Sequence, residues 1–187
     1  MAKKQPSGVY QIKITLKHAK PPIWRRIELS AQTPLDVVSE IILAAMGWEG
    51  YHLHQFIVGA TYYSMPDPEG IMDVKDEREY VLADILPKEK AKCIYEYDFG
   101  DGWEHEILLE KILEPEQGAK YPRCTAGKMA CPPEDCGGVW GYAELLAILQ
   151  DPEHDEHESY VEWLGLESGE DFDPKEFSVE EVNARWH

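Results

Sequence analysis

Three of the four cysteines in this chain, Cys124, Cys131 and Cys136, fall within thirteen residues. Prolines and glycines surround them, which predicts an irregular loop rather than a helix or a strand. The thiolate is both a metal ligand and a nucleophile, so clustered cysteines in a reducing compartment indicate metal binding or thiol reactivity. The six and four residues that separate them exceed the spacing of about two to four residues in common zinc knuckles.

A closed zinc site would need a fourth ligand beside these thiolates. His154 and His157 are the nearest candidates, because they lie three residues apart on one face of a predicted helix. Together the five residues form a predicted site for zinc or another divalent metal. Two alternatives remain open. The cysteines could simply be small residues packed beside tight turns, with the histidines on a solvated acidic helix face. Two of the cysteines could instead form a disulfide, which a cytoplasmic location disfavours.

A second set of residues indicates a candidate active site. His52 and His54 lie two apart on a predicted strand, which puts both imidazoles on one face about 7 Å apart. An Asp-Gly turn with two loop residues would place Asp98 opposite His105, where the carboxylate could fix the tautomer of the imidazole. Asp101, at that turn, could add an oxygen ligand. Each of these residues also has a structural explanation. His52 and His54 could pack in the core or at the rim of the sheet, Asp98 and His105 could form a plain cross-strand pair, and Asp101 could be an ordinary turn aspartate.

These residues would be positioned by an α+β fold. Alternating apolar and polar residues predict strands at 9–17, 23–29, 51–58, 61–65, 94–99 and 103–113. Helical spacing and end signals predict helices at 35–46, 82–86, 142–150, 151–163 and 178–185. The order of the first elements indicates a ubiquitin-like roll, in which a mixed, mainly antiparallel sheet of hairpins carries one packed helix. We expect this sheet region at 1–122 and a cysteine loop with acidic helices at 123–187, packed as one compact domain.

Composition limits the partners that this chain can have. The 187 residues include 36 acidic and 18 basic side chains, for a net charge of −18. This charge argues against non-specific DNA binding, which depends on neutralising phosphates. Basic residues are concentrated near the N-terminus, so phosphate contacts from Lys17, Arg25 and Arg26 remain an alternative. Trp24 is expected to anchor the hairpin of strands 9–17 and 23–29 in the core. The sequence has no apolar stretch near the roughly 18 residues of a membrane span and no signal core, which predicts a cytoplasmic protein without a membrane partner.

Several unusual motifs carry a resemblance to a known family. In chain order they are Pro21-Pro-Ile-Trp-Arg-Arg26, His52-Leu-His54, Tyr95-Glu-Tyr-Asp-Phe-Gly-Asp-Gly-Trp-Glu-His105, Cys131-Pro-Pro-Glu-Asp-Cys-Gly-Gly138 and Asp151-Pro-Glu-His-Asp-Glu-His157. From about Val9 to Trp186 the chain resembles the plasmid pRiA4b open-reading-frame-three-like family. The resemblance implies an association with mobile elements, some members being described as resolvase-like passengers, and it implies no mechanism.

Two functions therefore compete. The first is a binding or interaction module, with an unidentified protein or nucleic-acid partner in a mobile-element context and with the cysteine loop in a structural role. The alternative is a metal-dependent hydrolase, acting on phosphoesters, in which His52, His54, Asp98 and His105 hold an ion and a polarised water. Phosphate-binding and dinucleotide-binding glycine motifs are absent from the sequence, so no residues are predicted to bind an organic cofactor.

Overall fold

The computed structural model describes residues 8–66 and 73–186, and it places eight strands and five α-helices in these ranges. The strands are β1 (Val9–Leu16), β2 (Trp24–Ser30), β3 (His54–Val58), β4 (Thr61–Ser64), β5 (Lys75–Asp76), β6 (Lys92–Tyr97), β7 (Trp103–Leu113) and β8 (Arg123–Lys128). The helices are α1 (Leu35–Met46), α2 (Leu82–Ile85), α3 (Gly138–Leu149), α4 (His157–Trp163) and α5 (Val179–Ala184). The basic residues Lys3 and Lys4 near the N-terminus lie outside the described residues.

The strands form one sheet in the order β5-β4-β3-β6-β7-β1-β2-β8, in which only the short β4–β5 pair of the described strands is parallel. This mixed, mainly antiparallel sheet with its helices confirms the predicted α+β class. Alternate residues of β1, such as Ile12 and Ile14, are fully buried. They share one hydrophobic core with Leu35, Val38 and Ile42 of α1. Burying each side chain of this size stabilises the fold by roughly 1.5–3 kcal/mol.

Helix α1 follows Pro34 and ends before Gly47, as the sequence predicts. Gly47 takes a left-handed conformation with φ 86°, and its N–H bonds to the carbonyl oxygens of Leu43 and Ala44. Glycine suits this C-terminal position because it has no Cβ to strain the backbone. Thr33, however, does not cap the helix with its side chain, since its hydroxyl donates to the carbonyl of Ser30.

Several elements differ from the sequence prediction. Helix α3 begins at Gly138 rather than at 142. The sequence predicts an irregular loop at 123–128, but these residues form β8 and pair with β2. The strand that follows the predicted boundary at 122 therefore belongs to the main sheet. Helix α4 begins at His157 rather than at 151. In β2 the prediction that Trp24 anchors the hairpin in the core is wrong, because Arg25 is buried whereas Trp24 is half-buried beneath Lys13 and Arg26.

No helix within 8–66 and 73–186 combines the length and the apolar character that crossing a lipid bilayer requires.

Candidate functional site

A groove of about 540 Å³ lies between α1 and the chain segment that leads into β3. We call it the α1 groove. Carboxylates are frequent along it, since its lining includes Asp36 and Glu40 of α1, Glu49 and the 3₁₀-helical Glu77. Exposed apolar side chains, Leu53 and Met65, also line it. The α1 groove therefore combines negative charge with apolar contact surface.

Glu77 is the most unusual residue of the α1 groove, because it is 0% exposed to solvent. Its Oε2 accepts a hydrogen bond from Nε2 of His54 at 2.8 Å. Its Oε1 is buried and has no hydrogen-bond partner among the described residues. A buried carboxylate oxygen without a donor is costly.

His52 lies in the loop before β3 and belongs to a second cluster at the same groove. Its Nε2 is 3.1 Å from Oδ1 of Asp135 and 3.8 Å from Oδ2 of Asp98. One ligand atom from each of the three residues lies within 4.8 Å of the others, and within 8–66 and 73–186 no other such group of three forms. One imidazole and two carboxylates suit a divalent ion. We call these three residues the His52 cluster.

The turn between β6 and β7 holds Asp98 in the His52 cluster. Asp98 adopts φ 55° and is 9% exposed, and its Oδ1 accepts hydrogen bonds from the N–H groups of Gly100 at 2.9 Å and Asp101 at 3.4 Å. These bonds leave Oδ2 directed toward His52. Asp101 supplies no ligand atom to the cluster; its Oδ2 accepts a hydrogen bond from Gly137 N–H at 3.1 Å and so ties the turn to the cysteine loop.

The predicted pairing of Asp98 with His105 is wrong. Tyr97 pairs with Trp103, and His105 lies opposite Tyr95, so the loop is longer than the two residues assumed. His105 is fully buried, with its ring 5.4 Å from that of Trp48. Burial lowers the pKa of His105 to about 4, so this imidazole is a neutral core group. His52 and His54 likewise do not converge, since β3 begins at His54 and each imidazole has its own carboxylate partner.

All four cysteines are free thiols. Cys124 is buried on β8, and its thiol lies 3.5 Å from the carbonyl oxygen of Ala126. Burial raises the pKa of both Cys131 and Cys136 to about 12. These thiols are therefore protonated near neutral pH, and the thiol is the weaker form for metal binding and for nucleophilic attack.

The two histidines of the predicted cysteine metal site are engaged in local hydrogen bonds. Nδ1 of His157 is 2.9 Å from the carbonyl oxygen of Ile148, and Nδ1 of His154 accepts from the N–H of Glu156 at 3.2 Å. The structure does not bring Cys124, Cys131, Cys136, His154 and His157 together: in the described part of the chain no three of them meet as a group of ligands.

The cysteine loop, residues 129–137 between β8 and α3, instead connects the end of α1 to the sheet. Nε1 of Trp48 donates to the carbonyl oxygen of Pro132 at 2.8 Å. Glu134 accepts two hydrogen bonds, one from the Tyr97 hydroxyl at 2.5 Å and one from the N–H of Glu49 at 2.7 Å. These contacts also bring the neighbouring Asp135 beside His52, so the loop positions one member of the His52 cluster.

Sequence reasoning missed Glu77 and Asp135. Glu77 stands in the charged run Lys75–Glu79, which has the composition of an exposed loop, and no local pattern marks its burial. Asp135 lies inside the cysteine motif, where the thiols give a stronger sequence signal for metal binding than this carboxylate does. Both residues acquire their roles through contacts with distant segments.

Comparisons with a family model, a protein sequence and a solved structure agree with one another. A family model described as plasmid pRiA4b ORF-3-like protein matches residues 8–181. The uncharacterized protein y4hQ of Sinorhizobium fredii (strain NBRC 101917 / NGR234) is 35% identical over 185 residues, which cover 96% of this chain and 95% of that protein. The crystal structure of a protein of unknown function, MM3350 from Methanosarcina mazei Go1, is similar with a TM-score of 0.82 and 40% identity, covering 94% of this chain and 98% of that one.

Proposed function

The chain belongs to the plasmid pRiA4b ORF-3-like family, and within that family we propose that it is a binding module whose α1 groove takes up a basic segment of a protein partner. The observation that carries this proposal is the set of carboxylates that line the groove: Glu40 and Glu49 are exposed there, and Asp36 is half-buried. A lysine ammonium or an arginine guanidinium from the partner would pair with these carboxylates. Charge-assisted hydrogen bonds of this kind are among the strongest that proteins form.

The surroundings of Glu77 support a basic partner rather than an acidic one. Arg78, the one arginine among the described lining residues, already pairs with Asp76 through a 2.6 Å contact. The carboxylates of Asp36, Glu40 and Glu49 therefore dominate the charge of the groove. A long groove with acidic side chains and exposed apolar residues fits an extended peptide in which basic and apolar residues alternate.

Peptide selection tests this proposal. We expect peptides selected from a random twelve-residue library against the intact protein to be enriched in lysine or arginine. We expect the double variant Glu40→Gln/Glu49→Gln to weaken their binding about tenfold in fluorescence anisotropy, since two exposed ion pairs contribute up to about 1 kcal/mol each. Glu79→Gln/Glu144→Gln is the matched control, because it removes two exposed carboxylates outside the groove, and it should change affinity less than twofold. Peptides without basic residues, or equal losses in the two variants, would contradict the proposal.

The cysteine loop has a structural role in this proposal. It acts through its packing and through the hydrogen bonds of Pro132 and Glu134, without a metal at the thiols. The mobile-element association of the family leaves a nucleic-acid partner as an alternative. Lys17 and Arg26 would then have to leave their ion pairs with Glu104 and Glu110 before they could contact phosphate.

The His52 cluster favours a second candidate function, a metal-dependent hydrolase. Three ligand atoms within 4.8 Å could hold one divalent ion and leave coordination positions for water and substrate at the groove. This centre differs from the set predicted from the sequence, because Asp135 replaces His54 and His105.

Calorimetric titration with Zn²⁺ and Mn²⁺ tests the metal centre. We expect one ion per chain, with affinity lowered more than tenfold by His52→Ala and unchanged by His154→Ala, the control histidine on the exposed acidic segment. Hydrolysis of bis(p-nitrophenyl) phosphate should require the added ion and should be lost with His52→Ala. Absence of ion binding, or binding that survives His52→Ala, would remove this function and leave the groove proposal intact.

A further inference from the structure

A second cavity, of about 330 Å³, lies between the β1–β2 turn and α3. Its walls are mostly apolar, with Ala19, Pro21 and Ile23 on one side and Val139, Ala143 and Leu146 of α3 on the other. It shares no lining residue with the α1 groove. Its volume is near the lower end of the range of about 300–1,000 Å³ that is usual for small-molecule pockets.

The charge of this cavity is opposite to that of the whole chain. His18, Lys20 and Lys175 line it, and no aspartate or glutamate is among its described lining residues, although the chain has a net charge of −18. Within the described ranges, neither Lys20 nor Lys175 takes part in an ion pair with a side chain. The cavity therefore offers positive charge beside apolar walls, which fits an anionic amphiphile.

Trp140 adds an exposed apolar surface to this cavity. It lines the cavity, and 79% of the residue is exposed to solvent. A large aromatic ring at the edge of an apolar cavity can cover the hydrocarbon part of a bound molecule.

We propose that this cavity binds a small apolar carboxylic acid. Its carboxylate faces the ammonium groups of Lys20 and Lys175, and its hydrocarbon part packs against α3 and the β1–β2 turn. A carboxylate fits better than a phosphate, because phosphate sites commonly use arginine forks or clustered backbone N–H groups. The described lining contains no arginine. This inference is independent of the partner proposed for the α1 groove.

Isothermal titration calorimetry with hexanoate, octanoate and 3-phenylpropanoate tests the inference. We expect at least one acid to bind with a stoichiometry of one, and at least tenfold more tightly than the alcohol with the same carbon skeleton; the matching amine should not bind. The double variant Lys20→Gln/Lys175→Gln should bring the affinity of the acid down to that of the alcohol.

Lys88→Gln, at an exposed lysine outside the cavity, is the control for general electrostatic effects and should leave acid binding unchanged. Circular dichroism and urea unfolding of each variant separate loss of binding from loss of folding. The inference is overturned if none of the three acids binds at millimolar concentration, if acid and alcohol bind equally, or if the folded lysine double variant binds the acid as tightly as the original protein.

Discussion

Replacing Arg25 with alanine is expected to lower the free energy of unfolding by about 4 kcal/mol. The guanidinium is 3% exposed, and its donors reach three backbone carbonyls: Nε bonds to Ala45 at 3.2 Å, and Nη1 bonds to Trp24 at 2.9 Å and to Lys128 at 3.1 Å. Arg25→Ala would leave these acceptors in a cavity without donors. Urea unfolding monitored by tryptophan fluorescence measures the loss.

Arg25 is effective because it joins separate elements. Its hydrogen bonds connect β2 to the last turn of α1 and to β8, and its guanidinium stacks on the ring of Phe177 at 4.5 Å. Arg185 adds a second cation at the same helix end, donating to the carbonyl of Ala44 at 2.9 Å. Positive charge is favourable at a helix C-terminus, where carbonyl groups lack helical partners. Burial nevertheless lowers the pKa of Arg25 from its ordinary value, which reflects the cost of keeping this charge inside.

Arg26→Ala is the control for the adjacent position. Arg26 forms a half-exposed ion pair with Glu110 at 2.6 Å, and such surface pairs contribute about 1 kcal/mol or less. Arg25→Lys should give an intermediate loss, since an ammonium keeps the charge but cannot reproduce the planar fork of donors. Equal losses for Arg25→Ala and Arg26→Ala would refute the structural role assigned to Arg25.

The sequence predicts the parts of the fold that depend on local patterns. Alternation locates β1 and β2, and helical spacing with Gly47 locates α1. Helix α5 lies within the predicted range 178–185, and the Ser178 side chain caps it by accepting a hydrogen bond from the N–H of Glu181. Strand β8 escapes prediction because its residues pair only with the distant β2 and lie in a stretch whose prolines and glycines indicate a loop. The alternation in β2 likewise does not say which face is buried, and Arg25 rather than Trp24 enters the interior.

The candidate site is predictable only in part. His52 and Asp98 are marked by residue type and turn chemistry, and they do meet. The register of the β6–β7 hairpin depends on Asp98, which adopts a left-handed conformation and lengthens the turn. The Asp-Gly sequence suggests a two-residue loop, and that assumption puts His105 opposite the wrong residue. Glu77 and Asp135 reach the site only through tertiary contacts, so a sequence pattern cannot assign them.

Docking of the cysteine loop on the β6–β7 turn depends on one close backbone approach. Gly138 has φ 69°, and a Cβ atom at this position would overlap the carbonyl oxygen of Asp101. The hydrogen bond from Gly137 N–H to Asp101 lies at the same contact. Because the loop also carries Asp135, this contact maintains the geometry of the His52 cluster.

Gly138→Ala is therefore expected to lower the free energy of unfolding by about 3 kcal/mol, against about 1 kcal/mol for Gly59→Ala. Gly59 is the matched control, because its φ of 60° is similar and a Cβ there meets nothing within 4 Å. Both variants incur the strain of a left-handed alanine, and only Gly138→Ala adds overlap with backbone. Chemical denaturation of the two variants isolates the difference, about 2 kcal/mol. If the two losses were equal, the loop and the turn would not be in close contact, and Asp135 would lose the support that holds it beside His52.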